Sequence, residues 1–570
     1  MAVFFNGRLW TSPATMSKVD DSAMYNANAS TGNVLAIIGK SSGGKPFSAL
    51  HFGSPDEAKA AGIDGESLKA IALAFDPSPQ VPGPSEVVFI RVNPAVQAAL
   101  ALKDAANATV INLTSTDYGL RTNQIKVKIE AGSTTGKKVT TALGNDYYSA
   151  DNVARNAFSI QYSGAATTAN ISVSNSAVTL VADAATTVID LNAFQTIGQV
   201  VDRINAVAGF AASVLDGNSE KPALNGLDSL QAVDCKSAAV TVTANLQAII
   251  DWLNSAGEGF VTAARPANVG TLPVNAPYTY LAGGSDGTVT NTEWQSAFDV
   301  LQTVDVQWLV PISASPSIWA MADTHASYMS NIGRMERRVI VGDATGVTDD
   351  AAIAAAKLLN SDRTSYTHLG IYDYDANGKL TLYPAYLAAA AIAGGFAGSN
   401  PGTPMTNKAL KIRGIERNLR NPTDTDRLIN GGVLCIENTA KGFKVVKSIT
   451  TWLVNQNYNR VEVSTGVATD YVSRSVRDKL DDLRGAKGSP TLLSEAVSRT
   501  DTILKELAKS EAQGGMGVIV GDATNPAYKN ITATLSGDVV TVSFECSPVI
   551  PANYIAVTIH TVPYSGSASA

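Results

Sequence analysis

A chain of 570 residues is too long for one core and predicts about three or four domains. Its 45% hydrophobic and 16% charged residues describe a folded protein with much buried surface and exclude a disordered one. A formal net charge of -7 argues against general nucleic-acid binding, which needs a concentrated basic surface to displace counterions.

Residues 1–33 are rich in Asn, Ser, Thr and Ala and read as an extended arm with a short strand-like start at Val3, Phe4 and Phe5. Val34–Ile38 is a buried-strand candidate. A helix opens at Ser54-Pro55, with Ser at the cap and Pro in the first turn, and "EVVFIRVN" (Glu86–Asn93) is the next strand, so the pattern is that of an α/β unit. From about Asp117 to Thr271 the chain alternates apolar and polar residues between Gly, Ser, Asn and Thr clusters. That predicts a mostly antiparallel β insertion with a helix near Ile197–Ala208.

Beyond Tyr278, helices and strands alternate again, as expected of a largely parallel sheet flanked by helices. Ala385–Gly398 (AYLAAAAIAGGFAG) is the most apolar candidate span. It falls short of the roughly 20 residues that cross a bilayer, and it reads as a tightly packed helix ending at Gly394-Gly395. The heptapeptide VIVGDAT occurs at Val339–Thr345 and at Val518–Thr524, too short a match to establish a repeat. In the α+β segment 406–570, Ser489-Pro490 starts a helix whose apolar stripe includes Leu493, Val497, Leu504 and Leu507. Near the end, Ile555, Val557 and Ile559 alternate with Tyr554, Thr558 and His560 as a strand in need of a sheet.

Several stretches mimic enzyme motifs. Gly39, Gly44 and Lys45 have the spacing of a phosphate-binding loop, but Pro46 stands where a hydroxyl must bind Mg²⁺, and no amphipathic helix follows. The nucleophile-elbow spacing occurs at Gly39–Gly43 and at Gly283–Gly287, without an evident histidine base or acid. His51, His325, His368 and His560 stand in no ligand pattern, and Cys235, Cys435 and Cys546 form no C-x-x-C pair and read as buried small hydrophobes. Asp373 and Asp375 fit a hairpin turn closing on Asn377-Gly378; the twelve-residue calcium loop is absent. No catalytic residue, cofactor or metal ligand is assigned. The N-terminus lacks a basic segment with a long apolar run, so no signal peptide is expected.

Taken in order, "GNVLAIIGKSSGGKP", "FGSPDEAKA", "PSEVVFIRVN", "YLAGGSDG" leading into "EWQSAFDVLQTVDVQWLVPIS", and the small-residue helix after Tyr383-Pro384-Ala385 resemble the tail sheath family of contractile injection systems. That family includes the sheaths of contractile-tailed bacteriophages and, more distantly, those of R-type pyocins and type VI secretion. The resemblance covers most of 34–110 and 276–400 and, more weakly, 406–565. It implies an α/β and α+β multidomain fold: an N-terminal arm (1–33), an N-terminal core (34–116), a β-rich inserted domain (117–271), a subtilisin-like α/β middle domain (272–405), an α+β inner domain (406–550) and a C-terminal strand and tail (551–570).

The resemblance further implies a structural subunit, not an enzyme, that polymerises around a tail tube and contracts to drive it through the host envelope. The implied partners are copies of itself in stacked hexameric rings, the tail tube protein, and baseplate and tail terminator proteins, with no nucleic acid and no membrane. The implied place is the virion tail, assembled in the host bacterial cytoplasm.

Sheath arms add strands to neighbouring subunits, a role that suits Val3, Phe4, Phe5, Tyr554, Ile555, Val557 and Ile559; the same segments could also pair within their own subunit. By the same resemblance Lys505, Glu506, Lys509 and Glu511 are tube-facing candidates, and a solvated helix face with intrahelical ion pairs is the alternative. The basic run Lys408–Arg420 is a second candidate. A self-assembling surface or adhesin-like protein and a nucleotide-binding enzyme are the competing functions.

Overall fold

The apolar run at Val34 forms the strand Val34–Gly39 near the middle of a six-stranded sheet in the computed structural model. The model describes residues 3–5, 8–10, 34–255, 259–266 and 271–566, the first two stretches by backbone only. The sheet order is Thr364–Thr367, Arg338–Gly342, Trp308–Pro311, Val34–Gly39, Glu86–Arg91, Ala49–Phe52; all neighbours are parallel except the last pair.

Successive side chains point to opposite faces, so Leu35, Ile37, Val87 and Phe89 pack with helices Gly65–Phe75 and Ala385–Ala397. Ala36, Ile38, Val88 and Ile90 pack on the other side with helices Asn291–Val300, Pro316–Asn331 and Asp349–Leu359. Burial on both faces explains why these strands read as continuous apolar runs with no alternation. The stretches 34–116 and 272–405, expected as separate domains, thus contribute strands to one sheet.

The small-residue helix does not end at Gly394-Gly395 but runs through both to Ala397. A Cβ on Gly394 would stand 2.2 Å from the Ala74 carbonyl oxygen. The glycine therefore lets the Gly65–Phe75 helix approach closely, and burial outweighs its low helix propensity. Near the same end of helix Ala385–Ala397, Trp308 stacks on Phe396 with ring centroids 4.7 Å apart.

Two compact units divide the chain. One comprises residues 1–21, 42–45 and 94–288, the other 22–41, 46–93 and 289–570. The first is wider than the 117–271 insertion at both ends because strands Ala99–Lys103 and Thr109–Ser115 and strand Ala276–Tyr280 belong to its sheets. Its described sheets are antiparallel and enclose two cores. One core gathers Phe158, Ile171 and Val178 around helix Ile197–Asn205; the other gathers Val127, Ile129 and Val139 around helix Asn245–Leu253. At the N-terminus Val3–Phe5 pairs with Arg8–Trp10 as an antiparallel hairpin, while 11–33, the rest of the expected arm, lies outside the described residues.

In the second unit, residues beyond 406 add the small sheet Ala409–Leu410, Gly442–Val445, Ile436–Thr439 and two long helices, Val463–Asp481 and Pro490–Leu507. The first of these helices is tied to the central sheet by buried charge. Arg338 and Arg363 share Asp470 at 3.1 and 2.7 Å, and Arg474 and Arg477 share Glu336 at 3.2 and 2.7 Å. The second copy of VIVGDAT lies in this region without helix or strand, joined to Pro548 by a single bridge at Ile519. The first copy supplies a core strand.

Candidate assembly surface

The chain's last ordered sheet is a hairpin, Tyr528–Ser536 with Val539–Cys546, turned at Gly537, whose φ of +62° suits a two-residue loop. It packs on helix Pro490–Leu507 through Tyr528, Ile531 and Phe544, yet no third strand joins either edge among the described residues. A cavity of about 650 Å³ lies between hairpin and helix, lined by Leu492, Leu535, Val540 and Val542.

After the hairpin the chain stays attached for a few residues. Val520 N donates to Ser547 O at 2.9 Å, Val549 N donates to Val518 O at 3.0 Å, and Asn553 Nδ2 donates to the Glu462 carboxylate at 2.6 Å. Pro548 and Pro551 remove two backbone donors and keep the segment from forming a helix. From Tyr554 onward the described chain is neither helix nor strand. Tyr554, Ile555, Val557, Ile559, Val562 and Tyr564 are between 76% and 96% exposed. The predicted alternation is therefore present in a segment with no sheet of its own to join, and the strand expected at 554–562 is not formed within the described chain.

The four candidate charges on and after helix Pro490–Leu507 are all exposed and largely paired locally. Lys505 meets Asp501 at 2.5 Å, Lys509 meets Glu506 at 2.6 Å, and Glu511 accepts from Asn400 at 3.0 Å. Lys505 and the Tyr528 hydroxyl hold the Asp501 carboxyl below its usual range, while burial and that same bond push the Tyr528 phenol up to about 12. The basic run 408–420 is partly paired in the same way: Lys411 with Asp76, Arg417 with Asp349 and Arg420 with Asp424.

The motif mimics are structural. After Gly39 no helix begins: Ser41 N donates to Asn93 at 3.0 Å, Ser41 Oγ to Asp64 at 3.2 Å, and Gly44 N donates to the Asp117 carboxylate at 2.9 Å. A carboxylate thus stands where a phosphate would be cradled. Ser285 is bridged through its backbone to Val96, and Asp286 accepts from Leu120 N at 3.1 Å; the next helix begins only at Asn291.

His325 is buried against Arg337, 2.9 Å away, and burial with that charge pushes its pKa down to about 3. His368 bonds Asp349 at 2.9 Å and is also lowered, mainly by burial. Cys235 and Cys435 are buried, and burial pushes the Cys435 thiol up to about 12. Asp373 pairs with Lys69 at 2.5 Å, and Asp375 accepts from Asn377 and Lys379 to close the turn.

The central domain of phage tail sheath proteins matches residues 287–451. The tail sheath protein of Bacillus phage SP01 is 29% identical over 99% of this chain and 98% of its own length. This chain is a relative of phage tail sheath proteins. A putative tail sheath protein of Enterococcus phage phiEF24C is 27% identical over 96% of each chain. A crystal structure of a sheath tail protein from Desulfitobacterium hafniense shares the fold, with a TM-score of 0.53 at 13% identity over 94% of this chain and 96% of that one. The tail sheath likeness is thus full-length and includes the terminal segments.

Three features of this part of the chain escaped sequence reading. The open hairpin had a signal in the alternation of "ITATLSGDVVTVSF" around Gly537. The Glu462–Asn553 bond joins residues 91 apart and had none. The Arg474–Glu336 pairing, across 138 residues, had none either.

Proposed function

We propose that the protein is the structural subunit of a contractile phage tail sheath, polymerising around an inner tube and contracting to drive it through the host envelope. The observation that carries this reading is the exposed 554–564 segment: six large hydrophobic side chains, of which Ile555, Val557 and Ile559 recur at strand spacing, next to a hairpin whose two edges are open among the described residues. Such a segment gains most by adding to a sheet in a second copy, where backbone hydrogen bonds make the joint and alternate side chains enter the neighbour's core. Val3, Phe4 and Phe5 at the other terminus, and Tyr554, Ile555, Val557 and Ile559 at this one, are the residues we assign to joints between copies.

On this reading the six-stranded layer is the subtilisin-like scaffold of the middle domain and does no chemistry. Function lives in sites, and His325, His368 and Ser41 are held in structural bonds. Copies stack as hexameric rings through contacts that propagate along a helix. The extended state is held kinetically, and contraction moves each body nearly rigidly while the terminal segments keep neighbours joined. The buried charges between helix Val463–Asp481 and the sheet favour such rigid movement.

Lys505, Glu506, Lys509 and Glu511 are assigned to the tube-facing side, where weak polar contact allows grip before firing and release after it. The partners are the tail tube, baseplate and tail terminator proteins, and the place is the virion tail, assembled in the host bacterial cytoplasm. No cofactor is required, because the energy is stored at assembly.

Deleting 554–570 tests the reading by negative-stain microscopy. The truncated chain is expected to stay a folded monomer and to form no tubes, whereas tubes at the wild-type yield would overturn it. In parallel, ATP turnover that falls on Lys45→Ala would favour the nucleotide-driven alternative.

A further inference from the structure

Where the C-terminal segment leaves the body, one buried carboxylate holds it. Glu462 is 1% exposed and sits between helices Tyr458–Val461 and Val463–Asp481. Its own backbone is fixed: Glu462 N donates to Tyr458 O at 2.9 Å, Gly466 N donates to Glu462 O at 3.1 Å, and a bridge ties it to Ile449. Its Oε1 accepts from Asn553 Nδ2 at 2.6 Å and faces Lys447 Nζ at 3.5 Å. The same ammonium lies 5.7 Å from the centre of the Tyr554 ring. Within two residues the chain thus passes from a bond to a buried charge to a cation–π contact, and then to open exposure.

The site is also costly, which argues for a use. Glu462 Oε2, Asn553 Oδ1, Ser464 Oγ and Thr465 Oγ1 are buried without a hydrogen-bond partner among the described residues. Burial raises the Glu462 pKa against the opposing effects of Lys447 and Asn553. A side chain needed only to fill this space would be apolar, since unpaired buried polar atoms destabilise. The ion pair of Glu462 in the described residues is with Lys447, on the segment after strand Gly442–Val445.

We propose that Glu462 is a positioning residue for assembly: by holding Asn553 it sets the point and direction from which the C-terminal segment reaches a second copy. This rests on the reading of 554–564 as a strand donated between subunits.

The eleven residues from Tyr554 to Tyr564 span at most about 37 Å when extended. If Asn553 is released, the next fixed point is Val549, bonded to Val518, so the free length grows by four residues. Length alone lowers the effective concentration of the tail by less than about twofold. Losing a hydrogen bond to a charged group, and with it the direction of exit, raises the penalty towards about tenfold.

The test substitutes Asn553, because Glu462→Ala disturbs a buried site and is apt to unfold the chain. Full-length Asn553→Ala is expected to stay folded, with its thermal unfolding midpoint lowered by no more than about a few degrees, to lose hydrogen-exchange protection at residues 550–556, and to need a roughly two- to tenfold higher concentration to sediment as tubes. Asn553→Asp sets a second carboxylate against Glu462. It should assemble poorly at pH 8 and recover towards wild type near pH 5, where the two carboxylates share a proton; a merely structural role would not move this profile. Wild-type critical concentrations for both variants, while deletion of 554–570 abolishes tubes, would overturn the clasp and leave the donated strand standing. Tubes from the deleted chain would overturn both.

Discussion

Val34–Ile38 and Tyr554–Val562 are both apolar stretches of strand length, and they end in opposite surroundings. The first has parallel partners on both sides and helices over both faces, and Leu35, Ala36, Ile37 and Ile38 are 0% exposed. The second has no partner strand among the described residues, and Ile555 and Ile559 are 85% and 79% exposed. What separates them is the supply of edges. The central sheet draws its neighbours from 86–91 and 308–311 of the same chain, whereas the tail follows a hairpin whose edges stay open. One stretch completes the monomer's own core, and on the proposed reading the other finds its partner only in a polymer.

The sharpest way to break this division is to damage the self-completed side. Trp308 is 2% exposed and stacks on Phe396, so Trp308→Ala removes a large buried ring and leaves a cavity. We expect unfolding stability to fall by about 3–5 kcal/mol, read by chemical denaturation of the monomer. Assembly should fail because the chain no longer folds well. A well-folded variant that still failed to polymerise would instead place this face in a joint between copies.

How much of this was legible in the sequence follows from how local each signal is. The core strands at 34–38, 86–91 and 308–311 and the cap at Ser489-Pro490 announce themselves within a few residues, through apolar runs and turn chemistry. That 34–93 and 289–405 share a sheet could not be read, because pairing between strands some 270 residues apart leaves no local trace. The same applies to the glycines at 394 and 395, which look like a helix end: Gly394 serves a close approach to another helix, and Gly395 makes room for Met405. VIVGDAT makes the limit plain: identical letters form a core strand at one site and an irregular bridge at the other. The exposed tail was legible as an alternating strand, and its lack of a sheet could be judged only with the rest of the chain in place.

A smaller effect is expected where the self-completed side is held by charge. Arg474→Ala leaves Glu336, 7% exposed, with Arg477 as its remaining cation. Because one partner remains, the loss should be about 2 kcal/mol, below that of fully orphaning a buried carboxylate. Denaturation of the monomer measures it. The joint between helix Val463–Asp481 and the sheet should loosen, with faster hydrogen exchange along that helix.

On the tail the expected balance reverses. The double substitution Ile555→Ser and Ile559→Ser should change monomer stability by less than about 0.5 kcal/mol, since both side chains are already in water. It should raise the concentration needed for tube formation by about a hundredfold, because each of the two buried isoleucines is worth about 1.5 kcal/mol or more in the joint. Sedimentation against thermal unfolding separates the two, and a destabilised monomer with unaltered assembly would erase the contrast between the stretches.

The smallest effect concerns charges that the chain has already paired with itself. Lys505 is tied to Asp501 one turn away, and Lys509 to Glu506, both in the open. Removing Lys505 alone should cost the monomer no more than about 0.5 kcal/mol, as exposed pairs one helical turn apart do. The Asp501 carboxylate, held low chiefly by Lys505, should then titrate closer to its ordinary range, a shift that NMR can follow. If these residues face the tube, Lys505→Ala with Lys509→Ala should leave subunit joints intact and alter how strongly the assembled sheath retains its tube. The retention should also weaken with added salt, because exposed charges are screened within about 8–10 Å at moderate ionic strength. Unchanged retention at every salt concentration would return this helix face to solvent and leave the terminal segments as the remaining proposed contact between copies.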